Sequence, residues 1–312
     1  MSSNSHSNDH HDENFIQKYI FSVDHKVIGI QYGITSLLFL LFGFSLMAIM
    51  RWQLAYPDTA IPIVGFLFGE GGTLGSEQYN SLGAMHGTIM IFLGVVPLAV
   101  GAFGNYLVPL QIGAVDMAFP KLNAASYWSY FVGGVIMMSS FFMPEGAARS
   151  GWTSYPPLSI FENGQTIWLI SMIFLITSSL LGSMNIIVTI VQLRAPGLTW
   201  MRLSIFVWAQ FVTSFLLVLA FPPLEAAAIL QLMDRVAGTS FFLPSGQLFS
   251  MPIFLDIPNK SRSQIKLNSF IKLTYQGKDI GEMHVASIFK CDKKECAKKI
   301  YGTTDFQHPG VR

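Results

Sequence analysis

Residues 81–127 read SLGAMHGTIMIFLGVVPLAVGAFGNYLVPLQIGAVDMAFPKLNAASY. The stretch begins as an apolar run long enough to cross a bilayer, with one histidine, His86, near its start. A turn rich in glycine and proline follows. Because an ionisable side chain inside a membrane is costly, such a residue is a functional hypothesis by default. We therefore take His86 as the centre of the candidate site.

The composition predicts a membrane protein. Of the 312 residues, 51% are hydrophobic and only 12% are charged, whereas an ordinary soluble domain carries about 25% charged residues. Acidic residues outnumber basic ones up to residue 250, and the balance reverses after it. This asymmetry indicates two unlike parts.

Five apolar runs in the first part are long enough to cross a bilayer core of roughly 30 Å. The first is followed by Arg51 and Trp52, residue types that are favoured at the membrane interface. The last contains Pro222 and Pro223, where it can tilt or break. The predicted spans lie at about residues 27–50, 84–106, 127–143, 166–193 and 203–233.

Basic residues in the short loops predict the orientation. They are more frequent on the side of the N-terminus, which places that end in the cytoplasm and everything after residue 234 outside. Residues 1–14 hold almost no apolar side chain and are predicted to form a disordered polar tail.

Residues 250–312 contain no membrane span and predict a small soluble, β-rich part. Short β-like runs at 253–257, 270–275 and 283–289 alternate with turns, and a basic helix-like piece covers 292–299. The predicted fold is thus an all-α integral membrane protein of five transmembrane helices, followed by a β-rich fragment.

The residues alone leave two interpretations of His86 open. A neutral imidazole is a good ligand for haem iron, but a lone histidine in an apolar helix is more often a hydrogen-bonded structural residue. Gly83, Gly87 and Gly94 leave a smooth helix face, which suits either a flat macrocycle or a close neighbouring helix.

The polar residues that follow His86 are equally open to two interpretations. Asn105, Asp116 and Asn123 can order a chain of water molecules, or they can serve as caps and turn residues. Glu225, beside Pro222 and Pro223 in the last span, has a proton-handling role as one hypothesis.

Several long motifs carry a resemblance to subunit I of the haem-copper terminal oxidases, the cytochrome c oxidase type. It covers about residues 15–249. The motifs are HGTIMIFLGVVPLAVGAFGNYLVPLQIGAVDMAFPKLNAASYW from residue 86, SVDHKVIGIQY from 22, GWTSYPPL from 151, GSMNIIVTIVQLRAPG from 182 and VWAQFVTSFLLVLAFPPLEAAAILQLMDR from 207.

The resemblance implies a role for individual residues. His86 matches an axial ligand of the low-spin haem, Arg51 a basic residue that contacts that haem, and Trp152 the tryptophan near its propionates. Asp116 matches the carboxylate at the entrance of a proton-conducting channel, and Asn105 and Asn123 match asparagines that line its lower part.

The resemblance also implies what residues 1–312 do not supply. In the family, histidines that ligate copper and the high-spin haem lie on later helices, and residues 1–312 contain no matching motif. We therefore expect no oxygen reduction by this chain alone. The implied context is a bacterial-type inner (plasma) membrane, with the lipid bilayer, other oxidase subunits and cytochrome c or a similar electron donor as partners, and no nucleic acid.

The tail carries a second resemblance. PIFLDI from residue 252 and IKLTYQGKDIGEMHVASIFKCDKKECAKKIYGTTDFQHPGV from 271 resemble the PUA-like N-terminal domain of ATP sulfurylase (sulfate adenylyltransferase). The nucleotide-binding motifs of that enzyme are not present. The expected organisation is a polar tail at 1–14, the oxidase portion at 15–249 and the PUA-like fragment at 250–312. The alternative to a subunit I-like portion is a chimeric or misassembled chain that acts at most as a membrane anchor with a sulfate-adenylyltransferase-like fragment.

Overall fold

The structure is a computed structural model that describes residues 15–68, 71–144, 146–155, 158–159, 163–239, 265–275 and 278–285, with residues 294, 298 and 304. The chain divides into two compact units, Met1–Gln247 and Leu248–Arg312. The predicted polar tail at 1–14, the predicted strand at 253–257 and most of the predicted helix at 292–299 lie outside the described residues.

The first unit is helical. Two π-helical segments, Ile89–Val95 and Pro97–Gly104, join α3 to α4 in one continuous helix. The helices are α1 (Phe15–Tyr19), α2 (His25–Ala55), α3 (Ser76–Thr88), α4 (Asn105–Ile112), α5 (Pro120–Ser139), α6 (Asn163–Gln192) and α7 (Ile205–Ala237).

Four helices of the described residues are long and apolar enough to cross a membrane: α2, the continuous helix Ser76–Ile112, α6 and α7. They match four of the five predicted spans. The remaining span, predicted at 127–143, is helical but begins earlier as α5, which is 20 residues long. Polar side chains in its first turns, including Lys121 and Asn123, lower its hydropathy and keep it out of that group. The predicted helical membrane architecture is confirmed.

Local sequence explains where the helices begin and end. Asp24 caps α2, because its carboxylate accepts hydrogen bonds from the backbone N–H groups of Lys26 at 2.7 Å and Val27 at 3.3 Å. α4 ends at Gly113, whose φ of 75° is left-handed and free of strain only for glycine. α7 continues through Pro222 and Pro223, so the structure shows no break there.

Packing separates an inner and an outer face on α2. Its buried residues include Ile28, Tyr32, Phe39 and Leu46, whereas Leu37, Leu38 and Leu41 on the other side are exposed. In water an apolar face of this kind favours aggregation, but in a bilayer it faces lipid tails. α2 packs along the continuous helix, and α6 packs between α5 and α7.

The described part of the second unit is an antiparallel hairpin. β1 (Phe270–Tyr275) pairs with β2 (Lys278–His284), with a register shift between Leu273 and Thr274. β1 coincides with the strand predicted at 270–275. The strand predicted at 283–289 begins earlier, at Lys278, because Lys278 already pairs with Tyr275 in the antiparallel register.

Candidate functional site

The His86 imidazole is fixed by a backbone carbonyl of the neighbouring helix. His86 lies in α3, is half-buried, and its Nδ1 is 2.8 Å from the carbonyl oxygen of Gly43 in α2. Since a carbonyl oxygen only accepts, Nδ1 carries a hydrogen, and in the neutral ring the lone pair is then on Nε2. The same arrangement orients metal-binding histidines in proteins. The ring is therefore in the tautomer that a metal ligand at Nε2 requires.

The glycines near His86 do not all leave open space. A Cβ at Gly83 would lie 3.1 Å from Met50 Cε, and one at Gly94 would lie 2.5 Å from Leu40 Cδ2. Both neighbours belong to α2, so these two glycines serve close helix packing, one of the two interpretations that the sequence left open.

Trp152 lies against the turn that follows His86. A Cβ at Gly87 would be 3.8 Å from Trp152 Cδ1, and the Trp152 and Phe92 ring centroids are 6.3 Å apart. The indole is 51% exposed. The structure thus brings Trp152, in a loop, next to the helical turn after His86, although 65 residues separate His86 and Trp152 in the sequence.

Arg51 is not part of this contact. It lies eight residues after Gly43 on α2, which is about 12 Å along the helix axis. Its side chain is exposed. Among the described contacts, none joins Arg51 to His86 or Trp152.

Asn105 lies beside a second buried histidine, which the sequence analysis did not single out. His25 Nδ1 is 2.9 Å from the backbone oxygen of Asn105, and His25 is 1% exposed. Asn105 Nδ2 donates to Gly101 O at 2.6 Å. His25 Nε2 and Asn105 Oδ1 have no hydrogen-bond partner within the described part of the chain. Buried polar atoms of this kind are commonly satisfied by water.

Asn123 belongs to a polar group that three helices build together. Ser126 Oγ donates to Asn123 O at 2.7 Å, and Tyr32 OH lies 3.1 Å from Ser126 Oγ and 3.2 Å from Ser178 Oγ. Both side-chain polar atoms of Asn123 are buried without a partner among the described residues. Tyr32, Ser126 and Ser178 therefore extend the polar region from Asn123 into the helix bundle.

A cavity adjoins this polar group. Its volume of about 30 Å³ is room for one or two water molecules, since each needs roughly 10–15 Å³ on this measure. Its polar lining comes from Asn105, Tyr32, Tyr130, Ser178 and Ser179.

Asp116 lies in a turn that α6 holds in place. Thr189 Oγ1 accepts from the N–H of Ala118 at 2.9 Å. The Asn185 amide bonds both backbone groups of Phe119, at 3.0 and 3.1 Å. Asp116 itself accepts from Met117 N at 2.6 Å. No described contact joins Asp116 to Asn105 or Asn123, so the structure brings the two asparagines to one polar region and leaves Asp116 apart.

Glu225 has a hydroxyl partner in the middle of a membrane helix. Thr177 Oγ1 donates to Glu225 Oε1 at 2.6 Å. Thr177 lies close to the midpoint of α6, which runs from Asn163 to Gln192. The carboxylate therefore joins α6 to α7 at mid-helix depth.

The histidines and carboxylates of the described residues do not cluster into a metal centre. No group of three or more His, Cys, Asp or Glu side chains in the described ranges is placed to hold a metal ion. His86, whose Nδ1 bonds Gly43 O, has its Nε2 atom left as a single donor that could bind a metal ion. The described residues supply no donor set that fits copper.

Known families match both parts of the chain. Residues 27–254 match the family described as cytochrome c and quinol oxidase polypeptide I, and residues 221–312 match the PUA-like domain. The chain is 46% identical over 228 residues to cytochrome c oxidase subunit 1 of Thermostichus vulcanus, covering 72% of this chain and 39% of that protein.

Further relatives agree with this match. Cytochrome c oxidase subunit 1 of Synechocystis sp. is 45% identical over 230 residues, which are 73% of this chain and 39% of that protein. Heme-copper oxidase subunit I+III of Aeropyrum pernix is 42% identical over 237 residues, covering 74% of this chain and 28% of that protein. The chain spans about two fifths or less of the length of these relatives.

Proposed function

The chain belongs to the family of cytochrome c and quinol oxidase polypeptide I, and from this premise we propose that residues 15–249 are a haem-binding, subunit I-like portion of a haem-copper terminal oxidase. The observation that carries the proposal is the bond between His86 Nδ1 and Gly43 O, which leaves Nε2 free for iron.

In this proposal each residue of the His86 region has a separate task. His86 would ligate the haem iron through Nε2, and Gly43 O holds the imidazole in the orientation that this needs. Trp152 covers the next turn of the helix, and Arg51 contacts the haem from α2. When bound, the haem supplies one-electron transfer.

We assign Asp116, Asn105 and Asn123 to proton uptake. The support is the set of unpartnered polar atoms on Asn105 and Asn123 and the adjoining cavity, which together favour bound water. The turn that carries Asp116 is held to α6 by hydrogen bonds from Ala118 and Phe119, and in this proposal its carboxylate collects protons for that region without contacting either asparagine directly.

The family implies haem and copper in the whole oxidase, together with other subunits and a membrane. For this chain we propose a bacterial plasma membrane, a cytoplasmic N-terminus, and cytochrome c or a similar protein as electron donor. In this proposal residues 1–312 on their own reduce no oxygen, because the described residues contain no group of three or more His, Cys, Asp or Glu side chains placed to hold a copper ion.

The decisive experiment compares two histidines that make the same backbone bond. The full chain is expressed in membranes with haem supplied, purified in detergent and assayed for bound haem by its absorption spectrum. In His86→Asn the amide can still donate to Gly43 O, but the metal ligand is lost, so bound haem should fall to background. His25→Asn is the matched control and should retain haem, because His25 Nε2 is sealed inside the protein.

Equal haem content in the two variants would contradict the proposal. A wild-type chain that is folded by circular dichroism and binds no haem would contradict it as well.

A second candidate function is a membrane anchor that presents the C-terminal unit. The match of residues 221–312 to a PUA-like domain and the division of the chain after Gln247 favour it. The haem assay separates the two candidate functions, since a membrane anchor is not expected to bind haem through His86 Nε2.

A further inference from the structure

The loop that carries Trp152 is held by polar side chains of two helices. In this loop, residues 146–155, Ser150 Oγ donates to Gln165 Oε1 at 2.7 Å and Gln165 Nε2 donates to Ser154 Oγ at 2.9 Å. Gln165 belongs to α6 and is 0% exposed. One side chain thus fixes the residues two positions before and two positions after Trp152.

α7 completes the attachment. Ser154 Oγ donates to Gln231 Oε1 at 3.1 Å, and Gln231 Nε2 donates to Ser159 O at 3.4 Å. Ser154 has a φ of 53°, a left-handed conformation that residues other than glycine rarely adopt. A backbone in this conformation persists only where its surroundings hold it. The two glutamine contacts of Ser154 are such surroundings.

The far side of the loop is attached to the helix of His86. Ser81 Oγ, in α3, donates to Ala147 O at 2.8 Å and is buried. Arg149 forms an ion pair with Glu77 at 3.3 Å, also in α3. The loop therefore bridges α3, which bears His86, and α6, which bears Gln165.

We propose that Gln165 is the positioning residue for Trp152: it holds the 146–155 loop so that the indole covers the turn after His86. Its two polar atoms bond Ser150 and Ser154, and between them Trp152 lies 3.8 Å from the position of a Gly87 Cβ. Because Trp152 is half exposed and has no described hydrogen bond, its place depends on the loop backbone. The inference rests on the proposed function only in identifying the surface that Trp152 covers as a haem site.

The test uses the full chain in detergent, first without haem. Gln165→Leu removes both loop contacts at nearly the same volume. Gln210→Leu is the matched control, since Gln210 is another buried glutamine and donates to Ala99 O at 3.0 Å, away from the loop. Subtracting the spectrum of each variant's Trp152→Phe partner isolates the emission of Trp152.

We expect the Trp152 emission to shift to the red and its quenching by acrylamide to rise in Gln165→Leu, and to stay unchanged in Gln210→Leu. If Gln165 only stabilises the fold, both Gln165→Leu and Gln210→Leu should lower the thermal stability, and the Trp152 emission should be the same in the two variants. That result would overturn the proposal.

Ser150→Ala keeps the proposal falsifiable if Gln165→Leu does not fold. It removes one of the two loop contacts, so the Trp152 emission should shift in the same direction and by less. No shift in a folded Ser150→Ala protein would also overturn the proposal.

Haem-loaded protein then separates the two levels of inference. Gln165→Leu should retain haem through His86 but show a shifted Soret band, whereas His86→Asn should lose haem. If neither variant loses haem, the proposed function is contradicted. The role of Gln165 is decided separately, by the fluorescence of the haem-free protein.

Discussion

His25 and His86 make the same kind of backbone hydrogen bond but differ in how far they are buried. Each imidazole bonds a backbone carbonyl through Nδ1, at 2.9 and 2.8 Å. His25 is 1% exposed, and its Nε2 is sealed in the protein, whereas His86 is half-buried. The sequence could single out His86 through its motif. It could not predict the bond to Gly43, because the two residues are 43 positions apart.

At the residue scale, Asp116 can be tested without any redox chemistry. The full chain is reconstituted in liposomes with a potassium gradient, and proton influx is followed with an internal pH dye. If Asp116 collects protons for the polar region, Asp116→Asn should slow influx several-fold, because the neutral amide cannot bind and release a proton.

Asp58→Asn is the control for this measurement. Asp58 lies in an exposed loop with a φ of 59°, a conformation that asparagine tolerates. Its replacement should leave influx unchanged, and an equal effect of both substitutions would contradict the assignment of Asp116.

The hydroxyl residues of the polar region escaped prediction for a physical reason. Tyr32, Ser126 and Ser178 lie on α2, α5 and α6 and meet only after these helices pack. Within its own helix, each serine resembles an ordinary polar residue that bonds its own backbone, and Tyr32 resembles an ordinary aromatic residue. Hydroxyl side chains within or beside the predicted spans were the available signal, but only the tertiary structure shows which of them converge.

At the scale of elements, close helix packing depends on individual glycines. A Cβ at Gly101 would lie 2.7 Å from Tyr32 Cδ1, and the Tyr32 ring is held by its bonds to Ser126 and Ser178. Gly101→Ala should therefore lower the free energy of unfolding by about 1–3 kcal/mol through overpacking.

Gly182→Ala is the matched change for this prediction. A Cβ at Gly182 meets nothing within 4 Å, and alanine favours a helix by about 1 kcal/mol over glycine. Thermal unfolding in detergent, followed by circular dichroism at the helix band, should show opposite shifts for the two variants. Shifts of the same sign would mean that packing against Tyr32 does not limit this contact.

The sequence predicted the long elements well because apolar length alone identifies them. α2, α6 and α7 each contain the greater part of a predicted span. The start of α5 was harder to predict, since the polar residues of its first turns are typical of a loop and become buried only when the helix packs on α6. Asn123 and Ser126 are buried there, although their residue types are typical of turns.

At the scale of the whole molecule, the two units differ in kind. The first is a helical membrane fold and the second contains an antiparallel hairpin. We expect long-read sequencing of DNA and transcripts from the source across codons 247–256 to show two separate genes. A single uninterrupted transcript, with stable full-length protein in native membranes, would contradict this expectation.

The π-helical segments between His86 and Asn105 set the direction in which Asn105 faces relative to His86. A π-turn holds one residue more than an α-turn, so it accommodates an extra residue without turning the rest of the helix. If the same residues adopted α geometry instead, each residue that a π-turn now absorbs would turn the following segment by a further roughly 100° about the helix axis. Asn105 would then leave the side that meets His25 while His86 stayed in place. The orientation of Asn105 relative to His86 about the helix axis therefore depends on these π-helical turns.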